Sequence, residues 1–414
     1  MRPIWIALLA ALPLLADGIP RAKPEEVGLS SDRLARIRAA LQVYLDRQQI
    51  AGAVTLVARR GRVAHLETWG VLDLETKRPM REDTLFRIAS MTKPITSVAV
   101  MMLYEEGRFQ LRDPISKFIP EFKDPQVAVA TRPDDQLAEA AFKTVPAERE
   151  ITIRDLLTHT AGLPNTYNGL TIDLYRKLVA ERKPEDTVGD FTRKLAKLPL
   201  NFQPGAAWAY GPATDVLGYL VEVVSGLPLD RFFEERIFRP LGMVDTHFYP
   251  PAEKEPRWAS VYAPAQPSGL KLAMPGRYRG PGRYFSGAGG LVSTVPDYYR
   301  FCQMLLNGGQ RDGVRLLSPK TIELMTANHI GNAPLWPTLA GHRFGLGFRV
   351  LSNLGEAAIL GSPGSYGWGG AFGTYFFIDP KEQAIGILMI QVRPHNHLNI
   401  RPDFQVLATQ AIVD

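Results

Sequence analysis

Only one cysteine, Cys302, occurs among the 414 residues, so no disulfide can form within the chain and no cysteine-rich metal site can be built. It follows Phe301 and precedes Met304-Leu305-Leu306, the setting of an inert thiol on a helix face. Charge of one sign is also scarce. Lys and Arg number 48 against 42 Asp and Glu, a net +6, and no five basic residues stand together, so nucleic acid is not an expected partner. No apolar run reaches the roughly 20 residues of a spanning helix, so stable membrane insertion is not expected. Internal repeats and low-complexity tracts are missing too. What remains, 45% hydrophobic and 22% charged residues with 36 Gly and 33 Pro, is a globular composition with many structured loops.

The start of the chain, Met1-Arg2-Pro3, then an apolar run from Ile4 to Ala16, then Ala16-Asp17-Gly18, reads as a signal peptide over residues 1–18. It predicts export to the periplasm or medium; a leader that is no signal would leave the protein cytoplasmic. Ser31 to Gln49 places Leu34, Ile37, Leu41 and Tyr44 at helical spacing. Strand-like runs at Ala53–Ala58 and Val63–Thr68 flank the turn Arg59–Arg62, and a mirror pattern closes the chain: Gly373–Ile378, Asp379–Glu382, Ala384–Ile390, then a helix from Pro402 to Val413. Helical segments fill the middle: Ile153–Leu157, Asp173–Arg182, Ala213–Ser225 and Leu229–Ile237. This order predicts an α/β domain from residues 19–88 and 284–414, with a mostly helical domain, 89–283, inserted.

Pro94 fixes where the helix carrying the apolar run Val98–Leu103 begins, because proline is comfortable only in a first helical turn. Ser90 then stands at or beside that N-terminus, and Lys93 follows on the same face, with about 5–6 Å between their Cβ atoms. A helix N-terminus favours developing negative charge, so this pair suits an activated serine with its own base. A second match, Ser268-Gly269-Leu270-Lys271, lies in a Pro/Gly-rich loop with no apolar period after it and is set aside. Neutralising a lysine at pH 7 costs about 4.6 kcal/mol. A buried tyrosine beside it offsets about 4 kcal/mol at 4 Å and an effective dielectric of 20. Tyr210, in Pro204-Gly205-Ala206-Ala207-Trp208-Ala209-Tyr210-Gly211-Pro212 ahead of an apolar helix, is the candidate. A third element, Gly364 to Gly373, is a glycine-rich loop before a strand, where backbone N–H groups can approach a ligand closely.

Ser90-x-x-Lys93, Tyr210 and Trp368-Gly369-Gly370, in this order, resemble the serine β-lactamase and penicillin-binding-protein superfamily, and most of all the family VIII carboxylesterases related to class C β-lactamases. The stretches Ile151–Leu163 and Gly287–Thr294 support the likeness, which spans nearly the whole mature chain. The resemblance implies a β-lactamase-like antiparallel sheet flanked by helices, with the site in a cleft between two domains. It implies Ser90 as acylated nucleophile, Lys93 and Tyr210 as the proton-transfer pair, and the N–H groups of Ser90 and Ala371 as oxyanion hole. It also implies a substrate wall at Trp368, Gly369 and Gly370, and no metal or cofactor. Two departures carry weight. Pro212 stands where the β-lactamase pattern has asparagine, and Trp368-Gly369-Gly370 replaces Lys-Thr-Gly, removing the cation that grips a carboxylate. Both favour neutral esters. The expectation is a serine carboxylesterase for short- to medium-chain esters. The alternatives are an acyltransferase, weak β-lactamase or D-amino-acid peptidase activity, or a binding protein without catalysis. No G-x-S-x-G elbow is present. His395-Asn396-His397 reads as a surface loop, and His159 as a residue that ties down its own loop.

Overall fold

The computed structural model describes residues 18–131, 142–277 and 282–414. The leader read over residues 1–18 therefore falls, apart from Gly18, outside the described residues. In chain order, the elements that place the site are α1 (Ser31–Asp46), β1 (Gly52–Arg59), β2 (Arg62–Gly70), α2 (Thr92–Glu105), α3 (Ala213–Ser225) and α4 (Val295–Leu306). They continue with β3 (His342–Phe344), β4 (Arg349–Leu351), β5 (Tyr366–Gly369), β6 (Tyr375–Asp379), β7 (Ala384–Met389) and α5 (Ile400–Thr409).

The seven strands form one antiparallel sheet in the order β3-β4-β5-β6-β7-β1-β2, so β1, near one chain end, pairs with β7, near the other. Both faces of this sheet are covered, and the side-chain alternation sorts its residues between them. Ala53, Val57, Tyr375 and Phe377 pack with Leu34, Ile37 and Leu41 of α1 and Phe404 of α5. Val54, Leu56, Phe376 and Ile378 face the other way, into a cluster holding Tyr298, Phe301 and Cys302 of α4. Every residue of β1 is buried, which explains why it is apolar apart from Thr55 and Arg59. Cys302 is the inert interior thiol expected, with burial pushing its pKa well up.

α2 is buried on every side from Thr92 to Leu103, its largely apolar sequence interrupted by Thr92, Lys93, Thr96 and Ser97. Burial at about 1.5–3 kcal/mol for each large aliphatic side chain makes it a rigid platform. Some expected boundaries shift. The final helix begins at Ile400 and ends at Thr409, two residues before and four before the expected limits. The glycine-rich stretch expected before a strand contains one: β5 lies within it, between β4 and β6. Two further antiparallel strand pairs lie outside the seven-stranded sheet, Gln126–Ala130 with Phe142–Pro146 and Val261–Pro264 with Leu270–Met274. No helix among the described residues is long and apolar enough to cross a membrane.

Candidate active site

The strand Phe86–Arg87 pairs with Val292–Ser293 and delivers the chain to a single 3-10 turn, Ala89–Met91, immediately before α2. Ser90 is thus one short turn outside the helix proper, with Pro94 in the first α-helical turn as expected. Ala89 holds a φ of +43°, a left-handed backbone that costs a non-glycine residue of order 1–3 kcal/mol and must be imposed by its surroundings. Those surroundings are visible. The Tyr298 hydroxyl donates to the Met91 carbonyl at 2.9 Å, and the Leu291 N–H donates to the Thr92 hydroxyl at 3.2 Å. Ser90 is half-buried, while Lys93 is only 5% exposed. The lysine Nζ donates to Ser90 Oγ at 3.4 Å and to the Ala288 carbonyl at 2.7 Å.

Tyr210 arrives on a loop tied to the segment 151–163. The N–H of Ala209 donates to the His159 carbonyl at 2.9 Å, and that of Gly205 to the Thr160 carbonyl at 2.7 Å. The segment itself is pinned by a capping box between Thr152 and Asp155. α3 then starts at Ala213, directly after Pro212. The Lys93 ammonium sits over the Tyr210 ring, 4.6 Å from its centroid, and the Trp368 indole N–H donates to the Tyr210 hydroxyl at 3.3 Å. A hydroxyl that accepts one hydrogen bond keeps its own hydrogen free to give. The strand position that resemblance assigns a cation thus supplies a neutral donor to the tyrosine. Trp368 is buried at 5% exposure, its ring 5.4 Å from that of Tyr210.

His159 does tie its loop, through its backbone. Its ring is 2% exposed, its Nδ1 has no hydrogen-bond partner, and burial, followed by the charge of Lys93, lowers its pKa to about 3. It is neutral at any ordinary pH.

The corner after β5 abuts the Ser90 turn. A Cβ on Gly370 would stand 2.3 Å from the Ile88 carbonyl oxygen, so only glycine allows this approach. Ala89 packs with Phe372, and Ala371 is exposed at the corner. Arg401 of α5 braces it from behind, its guanidinium donating to the carbonyls of Gly370 and Thr374, the latter at 2.9 Å. Burial, then the charge of Arg349, lowers the Arg401 pKa to about 10. His395 is half-buried beside it, its pKa lowered to about 4 by burial and then by Arg401.

Asp215, on α3, went unread in the sequence. Its Oδ1 accepts from the Ser286 hydroxyl at 2.7 Å and from the Ala288 N–H at 3.0 Å, while the Ala288 carbonyl takes the Lys93 proton donor. It lies only five residues past Tyr210, but nothing local marks it; its partners come from another part of the chain. Burial raises its carboxyl pKa, against the hydrogen bonds that lower it. Ser268 and Lys271, the rejected pair, are exposed around the turn of a surface hairpin. Among the described residues, no group of three or more His, Cys, Asp or Glu side chains is placed to hold a metal ion.

A sheet made from both chain ends, carrying a Ser-x-x-Lys turn at its side, defines a β-lactamase-like protein, and solved structures share that fold at TM-scores such as 0.76. The family model described as Beta-lactamase matches residues 37–410, and the chain belongs to that family. It is 37% identical over 372 residues to an uncharacterized protein of Mycobacterium tuberculosis, covering 86% of this chain and 90% of the relative. Esterase EstB of Burkholderia gladioli is 32% identical over 382 residues, covering 86% and 89%. Among solved structures, EstCE1, described as a hydrolase with promiscuous acyltransferase activity, matches with a TM-score of 0.74 and 26% identity over 92% of this chain and 99% of its own.

Proposed function

We propose that this β-lactamase-family protein is an exported serine carboxylesterase that hydrolyses neutral short- to medium-chain esters through an acyl-enzyme on Ser90. The observation that carries the reading is Lys93 Nζ within 3.4 Å of Ser90 Oγ, buried against the ring of Tyr210. Ser90 Oγ attacks the ester carbonyl while its proton passes to the Lys93–Tyr210 pair. The N–H groups of Ser90 and Ala371 receive the oxyanion. Collapse expels the alcohol, which takes that proton; water then attacks the acyl-enzyme, releases the acid and restores Ser90. The likeness to an esterase supports this class of substrate. Transfer of the acyl group to an alcohol instead of water is the second reading, favoured by the description of EstCE1.

Hydrolysis of p-nitrophenyl butyrate by the wild type, Lys93→Ala and Tyr210→Phe tests the proposal. Each variant is expected to lose about 10²–10⁴-fold in kcat. Full activity in either would remove that residue from the mechanism, and adding methanol while following methyl butyrate separates transfer from hydrolysis.

Asp215 acts at one remove, by fixing Ala288. Asp215→Ala is expected to lower kcat about 10- to 100-fold with little change in KM, since the lysine loses its anchor but the substrate surface is untouched. Asp215→Asn keeps an oxygen at the Oδ1 position and is expected to recover most of that loss. Equal damage by both substitutions would show that the negative charge matters, not the acceptor.

A further inference from the structure

Beside Tyr210 lies a hollow of about 240 Å³ that the ester-hydrolase mechanism leaves unused. Its walls are Tyr167, Trp208, Tyr210 and Trp336, with Leu335 and the amide of Asn168, and among the described residues no charged side chain lines it. Three of the rings meet one another: Trp336 stands 5.0 Å from Tyr210 and 5.8 Å from Tyr167, and Tyr167 stands 6.0 Å from Tyr210. Tyr167 is 60% exposed, an unusual place for so large a ring unless something covers it. Trp336 sits half-buried in the stretch from Asn328 to Ala340, whose hydrogen bonds are mostly between near neighbours, Asn328 to Gly331, Ala333 to Ile330, and Leu339 to Trp336.

We infer that this hollow is a subsite for a flat ring in the alcohol portion of the ester, with Tyr167 and Trp336 as its specificity-determining residues. The inference rests on the hydrolase reading. Size fits first: an apolar cavity of about 150 Å³ already holds a benzene ring, so 240 Å³ has room for a fused pair. Chemistry fits next. Aromatic walls reward another ring through edge-to-face and offset contacts, and walls without charge reject ions. Position assigns the side of the ester. The hollow is walled by the ring of Tyr210, a member of the pair that returns the proton to the departing alcohol, so a ring seated there belongs to the leaving group.

The experiment compares kcat/KM for 2-naphthylmethyl acetate and ethyl acetate, esters of one acid and two primary alcohols, in the wild type, Tyr167→Ala, Trp336→Ala and Trp336→Phe. The ratio of the two values cancels any general loss of active protein. It is expected to fall about 5- to 20-fold in each alanine variant and to stay within threefold in Trp336→Phe, which keeps a ring. Tyr167→Ala removes a largely exposed side chain, so it serves if Trp336→Ala does not fold. An unchanged ratio in the alanine variants overturns the subsite. So does a loss of preference confined to ethyl 2-naphthylacetate, where the ring is on the acid. Absence of Ser90-dependent turnover of every ester overturns the hydrolase reading, and the subsite with it.

Discussion

Replacing Ser90 by alanine is expected to reduce ester turnover by on the order of 10⁴ or more, the scale seen when an activated serine is removed from a preorganised site. The oxygen lost is the one that Lys93 approaches at 3.4 Å, and the turn that presents it is held by hydrogen bonds from Tyr298 and Leu291 that do not involve the Ser90 side chain. The variant should therefore fold and melt like the wild type. Acid-quenching the wild type during turnover of p-nitrophenyl butyrate, followed by peptide mass spectrometry, should find butyrate on the peptide containing Ser90. The alanine variant should carry none. Turnover surviving in Ser90→Ala, or the acyl group on another residue, would mean that a different nucleophile does the work.

Acidification should destabilise the protein well before its carboxylates titrate, and His159 should account for a measurable share. Its folded pKa, about 3, lies below the ordinary value of 6.5, with burial as the main cause and Lys93 second. The unfolded chain takes up a proton as pH falls through 6.5 and the folded protein does not, so the stability held above 6.5 is lost progressively down to about 3. At pH 4.5 the loss from this group alone is two units, about 2.7 kcal/mol. His65 and His342, each lowered to about 4 chiefly by burial and secondarily by Arg38 and Arg349 respectively, act in the same direction. Urea unfolding at pH 7 and pH 4.5 provides the measurement, with His159→Asn as the comparison. Asparagine tolerates the left-handed φ of +57° at this position, so the backbone can be kept. The variant should lose less stability than the wild type on going from pH 7 to 4.5. Parallel losses would show that His159 becomes protonated without penalty.

The strands at Ala53–Ala58 and Ala384–Ile390 could be read from sequence because their apolar runs are buried on both faces and bounded by turn residues. Those of β3 and β4 could not: three residues carry too little periodicity. β5 was hidden for a different reason, since its glycines mark close approach, of Gly367 to the Phe376 backbone and of Gly369 to the Arg401 guanidinium, and not a propensity for strand. Ser90, Lys93 and Tyr210 were legible because proline and glycine mark the turns that carry them, and the structure brings the three together. Asp215, Arg401 and Trp336 were not. Each acquires its place by touching a distant segment, the 286–288 turn, the Gly370 corner and the Tyr210 ring respectively. The hydrogen bond from the Trp368 indole to Tyr210 was not legible either, because it depends on how β5 packs beside the Tyr210 loop.

The union of the two chain ends in one sheet also sets a schedule. During synthesis β1 and β2 emerge early, but β7, which lies between β1 and β6, emerges near the end, and Arg401, which braces the Gly370 corner, later still. Until then the hairpin has an open edge and Ser90 faces a corner that does not yet exist. Pairing across such a separation is slow as well as late. The corner beside Ser90 is therefore expected to form late, only after β7 has docked and α5 has followed it.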